Sequence, residues 1–165
     1  MKRVVVKGGK KVTTREGSFV INLSREIINL LKPYSKKIQI AGSIRRNSPN
    51  PVDIDIVLMP KDKEKIKEIL SKKGKFMQGG EKRVSFKIEG VKVELYYATP
   101  EEWGATLLAY SSRKGSGIGL RMVAKRMGLK LTQHGLFKNE KMIAGKTEEE
   151  IYHALGRPWK KPEDR

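Results

Sequence analysis

Cysteine is absent from this chain, and histidine occurs only twice in its 165 residues. Without cysteine there is no disulfide framework and no thiolate ligand, which excludes disulfide-rich secreted proteins and cysteine-based zinc sites. His134 and His153 lie far apart in the sequence and have no partner pattern, so we interpret both as structural residues. The absence of cysteine also fits an intracellular protein.

Long apolar segments are missing as well. No run approaches the roughly 18 apolar residues of a membrane-spanning helix, and the N-terminus has no apolar signal-peptide core. We therefore expect neither membrane insertion nor export. We expect an intracellular location where DNA is found, whether cytoplasm, nucleoid or nucleus. The chain is nevertheless long enough to bury a real core, and its 38% hydrophobic residues are regularly patterned.

Acidic residues are scarce relative to basic ones. The chain has 36 Lys and Arg against 18 Asp and Glu, which gives a formal net charge of +18. A small protein with this surplus attracts polyanions, and such binding weakens as the salt concentration rises. The charge balance therefore predicts contact with nucleic acid.

Apolar periodicity predicts an α+β chain. Residues 1–21 predict two or three short strands, residues 38–40 another strand, and residues 84–88 with 91–97 a hairpin. Later segments carry apolar residues at helical spacing. The predicted helices are 25–32, 61–73 ended by Gly74, about 99–111 opened by a Thr99–Glu102 capping box, 118–127 after a Gly/Ser-rich loop at 111–117, and a last one between Thr147 and Gly156.

The change from strands to helices near residue 99 predicts two lobes, 1–98 and 99–165. We expect the first lobe to be a mixed sheet with flanking helices, and the second to be small and mostly helical.

The most informative stretch runs from Gly42 to Met59. In residues 52–58, apolar side chains alternate with Asp53 and Asp55, which predicts a strand with both aspartates on one face. Two adjacent carboxylates repel one another unless a cation neutralises them. Hard oxygen ligands without cysteine or clustered histidine indicate Mg²⁺ or Mn²⁺ rather than zinc. Taken alone, an Asp-x-Asp strand is explained equally well as a solvated surface strand.

A second pattern precedes this strand. The segment Gly42-Ser43-Ile44-Arg45-Arg46 combines a tight turn, a hydroxyl and two guanidinium groups, which suit a phosphate chain. On the second strand of the predicted hairpin, Glu94 shares a face with Lys92 and Tyr96 and is a candidate third carboxylate. Together these patterns predict metal-assisted attack on a nucleoside triphosphate.

A Gly-Ser turn followed by a paired-aspartate strand resembles the signature of the nucleotidyltransferases typified by DNA polymerase beta. The resemblance to family X DNA polymerases covers about residues 24–165. Arg121 matches the family's thumb arginine near the template strand, and Trp159-x-x-Pro162-x-x-Arg165 is similar to its closing Tyr-x-x-Pro-x-x-Arg. The resemblance implies a nucleotidyltransferase palm at 1–98 and a thumb at 99–165. We expect no segment before the palm to correspond to the family's lyase or fingers domains.

The resemblance also implies roles for individual residues. Asp53, Asp55 and Glu94 would hold two Mg²⁺ ions, for which Mn²⁺ could substitute, and would carry catalysis near the primer 3′-hydroxyl. Ser43 and Arg46 would bind the β and γ phosphates. The full set of implied nucleotide contacts is Gly42, Ser43, Arg46, Tyr110, Ser112 and Gly117, and the implied DNA contacts are Arg121, Lys125 and Arg126.

The chain departs from the family pattern at three places. Glu94 replaces an aspartate, which changes where the metal sits and can alter activity. Ala109-Tyr110-Ser111-Ser112 stands where the family has Tyr-Phe-Thr-Gly, which affects discrimination against ribonucleotides. Gly117 replaces an asparagine that contacts the incoming base edge, which affects fidelity.

The sequence therefore predicts a minimal DNA polymerase that acts as a monomer. We expect it to add nucleotides from dNTPs to a primer 3′-hydroxyl on primer-template or gapped DNA, by two-metal-ion transfer. We expect this activity to fill gaps in DNA repair. One alternative is a template-independent or small-molecule nucleotidyltransferase. The other is a DNA-binding module whose catalysis is impaired by Glu94.

Overall fold

The computed structural model describes residues 2–165, which form two compact units. The first comprises the residues up to Ile44 together with Ser48–Tyr97, and the second comprises Arg45–Asn47 together with Ala98–Arg165. Helices and sheets occur in both units, which confirms the predicted α+β class. Whether the two units act as a palm and a thumb stays a prediction at this point.

The first unit begins with a hairpin of β1 (Lys2–Lys7) and β2 (Lys10–Arg15), followed by helix α1 (Gly17–Leu31). A five-stranded sheet has the order β3-β4-β7-β6-β5, in which only β4 and β7 run parallel. The strands are β3 (Ser35–Ile40), β4 (Ile54–Pro60), β5 (Lys75–Gly79), β6 (Arg83–Ile88) and β7 (Val91–Tyr97). The single-turn helix α2 (Gly42–Arg45) lies between β3 and β4, and α3 (Lys63–Lys73) lies between β4 and β5.

The apolar core of the first unit lies against one face of this sheet. Every second residue of the central strands packs there against the apolar stripes of α1 and α3. The large side chains that are fully buried in it are Ile27, Leu31, Ile54, Ile56, Leu58, Ile66, Leu70, Phe86, Ile88 and Leu95. Because strand side chains alternate, the opposite face of β4, β6 and β7 carries the polar residues.

The second unit contains helix α4 (Trp103–Ser111), helix α5 (Lys114–Arg126), helix α6 (Glu148–Ala154) and a small antiparallel sheet. The sheet has the order β10-β9-β8 and is formed by β8 (Lys130–Thr132), β9 (Gly135–Lys138) and β10 (Lys141–Ala144). Ala105, Leu108, Ala124, Leu136 and Ile151 form the centre of its apolar core. No helix in residues 2–165 combines the length and apolar content needed to cross a membrane.

A buried carboxylate organises the polar interior of the second unit. Glu148, at the start of α6, is 4% exposed and accepts hydrogen bonds from both terminal nitrogens of Arg45 at 2.8 Å. Arg165 donates to the same carboxylate at 2.8 Å, and the indole of Trp159 donates at 3.3 Å. Burial acts to raise the pKa of Glu148, but the hydrogen bonds and charges of Arg45 and Arg165 outweigh it and hold the pKa below its ordinary value.

Several predicted elements differ from the structure. Residues 19–21 were expected as a strand but belong to α1, because Val20 is buried in the same helical stripe as Ile27 and packing overrides β-branched propensity. The Gly/Ser-rich loop expected at 111–117 is largely the first turns of α5, which is anchored by buried Ala124. Helix α4 begins at Trp103 without a side-chain cap, later than the expected start at Thr99. Strand β5 was not predicted.

Other boundaries were predicted correctly. Helix α3 ends as predicted, where Gly74 forms its C-cap. It begins at Lys63, two residues later than expected, because Asp62 caps its start by accepting from the Lys65 amide at 3.0 Å. The capping box at the start of α6 is present: the Thr147 hydroxyl accepts from the Glu150 amide at 3.1 Å, and the Glu150 carboxylate accepts from the Gly145 and Lys146 amides.

Replacing Glu148 with alanine should destabilise the chain by about 3–5 kcal/mol, because it leaves the buried guanidinium of Arg165 without its carboxylate. The measurement is urea unfolding followed by circular dichroism. The substitution should also flatten the dependence of stability on pH. A carboxyl with a lowered folded pKa stabilises above its unfolded pKa of about 4.3 and loses that contribution as pH falls through the folded pKa.

Glu149→Ala is the matched control, since Glu149 is the exposed neighbour of Glu148 on the same helix. It should change the free energy of unfolding by no more than about 0.5 kcal/mol. Equal stability losses in the two variants would contradict the role of Glu148.

Candidate active site

Two of the predicted carboxylates are direct neighbours in the sheet. Asp55 of β4 is the register partner of Glu94 on the parallel strand β7. Their flanking residues Ile54, Val93 and Leu95 are fully buried on the core side, so both carboxylates lie on the opposite face. Asp53 directly precedes β4 and lies close enough for its charge to act on Asp55. The structure therefore brings the three predicted acidic residues to one end of one sheet face.

Asp55 has the most perturbed surroundings of the three. Burial raises its pKa above the ordinary value, and the negative charges of Asp53 and Glu94 raise it further. The hydroxyl of Tyr96 donates a hydrogen bond to Asp55 Oδ1 at 3.0 Å, which acts in the opposite direction. A raised carboxyl pKa caused by like charges is the electrostatic state that a bound cation would relieve.

In this structure the other two carboxylates pair with basic side chains. Lys7 of β1 contacts Asp53 at 2.7 Å. Glu94 is 2% exposed and pairs with Arg83 at 2.5 Å and with Lys92 at 2.7 Å. Burial acts to raise the pKa of Glu94, but its bonds to Arg83 and Lys92 outweigh burial, so the pKa lies below its ordinary value.

The donor chemistry fits a hard divalent cation, since all three side chains are carboxylates. Their present arrangement is less convergent than a metal site. Among residues 2–165, no three His, Asp or Glu side chains gather closely enough to hold a metal ion. The predicted assignment of Asp53, Asp55 and Glu94 as metal ligands therefore stays a prediction, and it would require Glu94 to exchange its basic partners.

The Gly42–Ser43 turn packs directly against Asp55. Gly42 has φ +59°, and a Cβ built on it would overlap the Asp55 carboxylate. The Ala41 amide donates to the Asp55 carbonyl at 2.8 Å, which joins the turn to β4. A side chain at position 42 would therefore be strained, and Ser43 follows Gly42 as the second residue of α2.

Arg46 belongs to the second unit, where its guanidinium donates to the Ser111 carbonyl at 3.5 Å. The remaining predicted nucleotide contacts also lie in that unit. Tyr110, Ser112 and Gly117 line one cleft of about 200 Å³. Arg121, a predicted DNA contact, lines the same cleft, although Gly117 and Arg121 were expected on different elements and both lie on α5.

Lys125 and Arg126 are exposed at the C-terminal end of α5. Arg121 and Lys125 are four residues apart and so share a face of the helix. This basic, exposed face is consistent with contact to phosphate groups, and the DNA-binding assignment of these three residues stays a prediction.

Sequence reasoning missed the basic residues around the carboxylates. Arg83 lies on β6 two residues before Ser85, the register partner of Glu94, and alternation along the predicted hairpin could have placed Arg83 on the acidic face. Lys7 could not have been found in this way. It lies on a separate hairpin, 46 residues before Asp53, and no local pattern connects the two.

Replacing Gly42 with alanine should lower the free energy of unfolding by about 2 kcal/mol or more, because the new side chain meets a left-handed backbone and the Asp55 carboxylate together. Gly80→Ala is the control, since Gly80 has open space around its Cα and no positive φ. Urea unfolding should leave Gly80→Ala within about 0.5 kcal/mol of the wild type. Unchanged stability in Gly42→Ala would show that the turn does not pack as described.

Known proteins resemble both parts of the chain. The family model of the DNA polymerase beta thumb matches residues 107–165. The repair DNA polymerase X of African swine fever virus (isolate Pig/Kenya/KEN-50/1950) is 28% identical over 93% of this chain and 99% of its own length. The isolate Warthog/Namibia/Wart80/1980 enzyme of the same name is 27% identical over 98% of each chain.

A cellular relative resembles a shorter segment. DNA polymerase IV of Saccharomyces cerevisiae is 31% identical over 45% of this chain and 13% of its own length. The thumb match, the similarity to polymerase X over nearly the full length, and the Gly-Ser turn packed against a paired-aspartate strand all agree with the resemblance seen in the sequence. The chain thus resembles the family X DNA polymerases, in its thumb segment and over nearly its full length.

Proposed function

We propose that this protein is a gap-filling repair polymerase that adds nucleotides from dNTPs to a primer 3′-hydroxyl. The observation that carries the proposal is the register of Asp55 with Glu94 beside the Gly42–Ser43 turn. This register and the packing of Gly42 on Asp55 support the proposal, because they bring two carboxylates close to the turn that we propose as the phosphate site. The net charge of +18 supports a polynucleotide as the acceptor. We propose that it acts as a monomer, inside the cell where DNA is found.

We propose further that Asp53, Asp55 and Glu94 hold the divalent metal, Mg²⁺ or in its place Mn²⁺. When bound, the metal supplies Lewis-acid activation of the 3′-hydroxyl and neutralises charge on the leaving pyrophosphate. The raised pKa of Asp55 and its causes support this assignment, since burial and the charges of Asp53 and Glu94 all disfavour an uncompensated carboxylate there. The longer side chain of Glu94 gives its carboxylate one more methylene of reach than an aspartate.

The chain's own polar groups bind and orient the substrates in this proposal. The Ser43 hydroxyl, the backbone amides after Gly42 and the Arg46 guanidinium bind the triphosphate, as hydrogen-bond donors arranged on a turn suit an anion. Tyr110, Ser112 and Gly117 contact the sugar and base from the cleft that they line. Arg121, Lys125 and Arg126 bind DNA phosphates. Catalysis then depends on positioning and electrostatic stabilisation.

Asp53→Asn and Asp55→Asn should each lower the rate of primer extension by at least about 10³-fold. Each substitution removes a negative charge that would hold the metal, and with it several kcal/mol of transition-state stabilisation. DNA binding in the same variants should persist, since the basic residues are unchanged. Primer extension on a gapped duplex and fluorescence anisotropy with labelled DNA measure the two properties. Asp164→Asn is the control, because Asp164 is exposed near the C-terminus. Wild-type extension by either sheet variant would refute the mechanism.

The alternatives differ in what they do with labelled dNTPs. A gap-filling polymerase should incorporate the complementary dNTP on a gapped duplex and little without a template. Equal incorporation without a template would favour a template-independent nucleotidyltransferase. Binding of DNA without pyrophosphate release, in Mg²⁺ and in Mn²⁺, would indicate a module impaired by Glu94.

A further inference from the structure

The connection from α2 to β4, residues 46–53, leads directly into the acidic strand. It contains no helix or strand, and two of its residues, Pro49 and Pro51, have no N–H group. The carbonyl groups of such a segment have no ladder of their own and need partners from elsewhere in the fold. This matters for the candidate active site because Asp53 is the last residue of the connection.

Arg3 of β1 supplies two of those partners. Its Nη2 donates to the Asn50 carbonyl at 2.9 Å and to the Pro51 carbonyl at 2.6 Å. Its Nε donates to the Arg15 carbonyl on β2 at 2.8 Å, which holds the guanidinium within the hairpin. One side chain therefore ties the hairpin to two successive residues, the second of which is buried and lies two positions before Asp53.

The start of α1 packs against the same connection. A Cβ built on Gly17, the first residue of α1, would overlap the Pro49 carbonyl and the Asn50 Cα. The backbone thus passes in close contact with a helix before it reaches the two carbonyls that Arg3 binds. Packing fixes the first part of the path, and the hydrogen bonds of Arg3 extend that restraint to Pro51.

Strand β1 also reaches the end of the connection. Lys7 lies four positions after Arg3, and alternation along a strand places both on the same face of β1. The Lys7 ammonium contacts Asp53 Oδ2 at 2.7 Å. The two contacts differ in kind, because Arg3 binds backbone carbonyls whereas Lys7 pairs with the carboxylate itself. A cation at Asp53 would therefore compete with Lys7 but not with Arg3.

We propose that Arg3 is a positioning residue for Asp53. By holding the carbonyls of Asn50 and Pro51, it fixes the backbone from which the Asp53 carboxylate reaches a divalent metal, while Lys7 gives up that carboxylate when the metal binds. This role rests on the proposed function only in that Asp53 is taken as a metal ligand.

The first test measures the affinity of the purified chain for Mn²⁺, without DNA or nucleotide, from the electron paramagnetic resonance signal of free Mn²⁺. Arg3→Ala should weaken Mn²⁺ binding about tenfold, a loss typical of residues that orient a metal ligand without touching the metal. The direction of the change is informative, because loss of a nearby positive charge would by itself strengthen cation binding. Lys7→Ala measures that charge effect and should strengthen Mn²⁺ binding about threefold.

Arg15→Ala is the matched control on the same hairpin. The Arg15 Nε donates to the Glu89 carbonyl at 2.9 Å, and its guanidinium lies 4.5 Å from the centre of the Phe19 ring. The substitution removes one positive charge and one anchor of the hairpin, but it keeps the backbone carbonyl that Arg3 binds. Mn²⁺ affinity should stay within about twofold of the wild type, since a partly exposed charge bonded elsewhere contributes little.

A second test measures the order of the connection itself, without metal. Amide hydrogen exchange at residues 52–55 should be about tenfold faster in Arg3→Ala, because local opening no longer has to break the two bonds to the connection. Exchange at the same residues should remain near the wild-type rate in Arg15→Ala. This comparison separates loss of order at Asp53 from a general loss of stability in the hairpin.

Three results would overturn the role of Arg3. Stronger Mn²⁺ binding in Arg3→Ala, as in Lys7→Ala, would reduce it to a charge effect. Equal weakening of Mn²⁺ binding in Arg15→Ala would reduce it to support of the hairpin, and unchanged exchange at residues 52–55 would show that the connection does not depend on it.

Asp53→Asn tests the assumption on which this role rests. Mn²⁺ binding that this substitution leaves unchanged would refute Asp53 as a ligand and overturn the role of Arg3 with it. Loss of Mn²⁺ affinity in Asp53→Asn, together with the expected changes in Arg3→Ala, would support both. Because neither measurement involves nucleotide transfer, failure of the gap-filling proposal remains distinguishable from failure of this one.

Discussion

Repulsion among carboxylates on one sheet face is the constraint to which the rest of the first unit responds. Asp55 and Glu94 are register partners on parallel strands, and the charge of Asp53, which directly precedes β4, acts on Asp55. They cannot turn to the other face, because alternation along β4 and β7 gives that face to the apolar core. Their charge must therefore be compensated where they lie.

In this structure basic residues supply that compensation from three separate elements. Lys7 comes from the hairpin, Arg83 from β6 and Lys92 from β7. Asp55 has instead the Tyr96 hydroxyl and the close approach of Gly42. This difference in partners agrees with the pKa shifts: the pKa of the ion-paired Glu94 lies below its ordinary value, and the pKa of Asp55 lies above it. Among the described residues, Asp53 and Glu94 thus have basic ion-pair partners, whereas the hydrogen-bond donor to the Asp55 carboxylate is a tyrosine hydroxyl.

The second unit is organised by the opposite arrangement, a single carboxylate with several donors. Glu148 receives hydrogen bonds from Arg45, Trp159 and Arg165, which come from widely separated parts of the sequence. A buried carboxylate with charged hydrogen bonds restricts geometry more than an apolar contact, because each bond has a direction.

Much of the acidic face could be predicted from local sequence, because it depends on the period of a strand. Alternation placed Asp53 with Asp55 and placed Glu94 with Lys92 and Tyr96. The parallel pairing that unites these two sets could not be read from the sequence, since α3, β5 and β6 lie between β4 and β7. The lysine on Asp53 was missed for the same reason.

Helix boundaries show a different limit of sequence reasoning. The residues at 19–21 have strand propensity, and those at 111–117 have loop propensity, yet both segments are largely helical. In each case a few buried residues decide, Val20 and Leu23 in α1 and Ala124 in α5, because burial contributes more than backbone propensity. Local sequence was sufficient to predict a helix boundary where a capping residue marks it, as at Thr147 before α6 and Gly74 after α3.

The departure from the family motif at residues 109–112 has a structural interpretation. Ser111 keeps a hydroxyl where the family has threonine; it is fully buried, and that hydroxyl accepts from Arg45 at 2.9 Å. This position therefore serves the Glu148 network. The neighbouring positions have a different environment, because Ala109, Tyr110 and Ser112 all line the cleft of the second unit. The aromatic ring of the family motif is lost at 109 and a hydroxyl is added at 112, so these substitutions change the lining of the cleft and leave the framework around Ser111 intact.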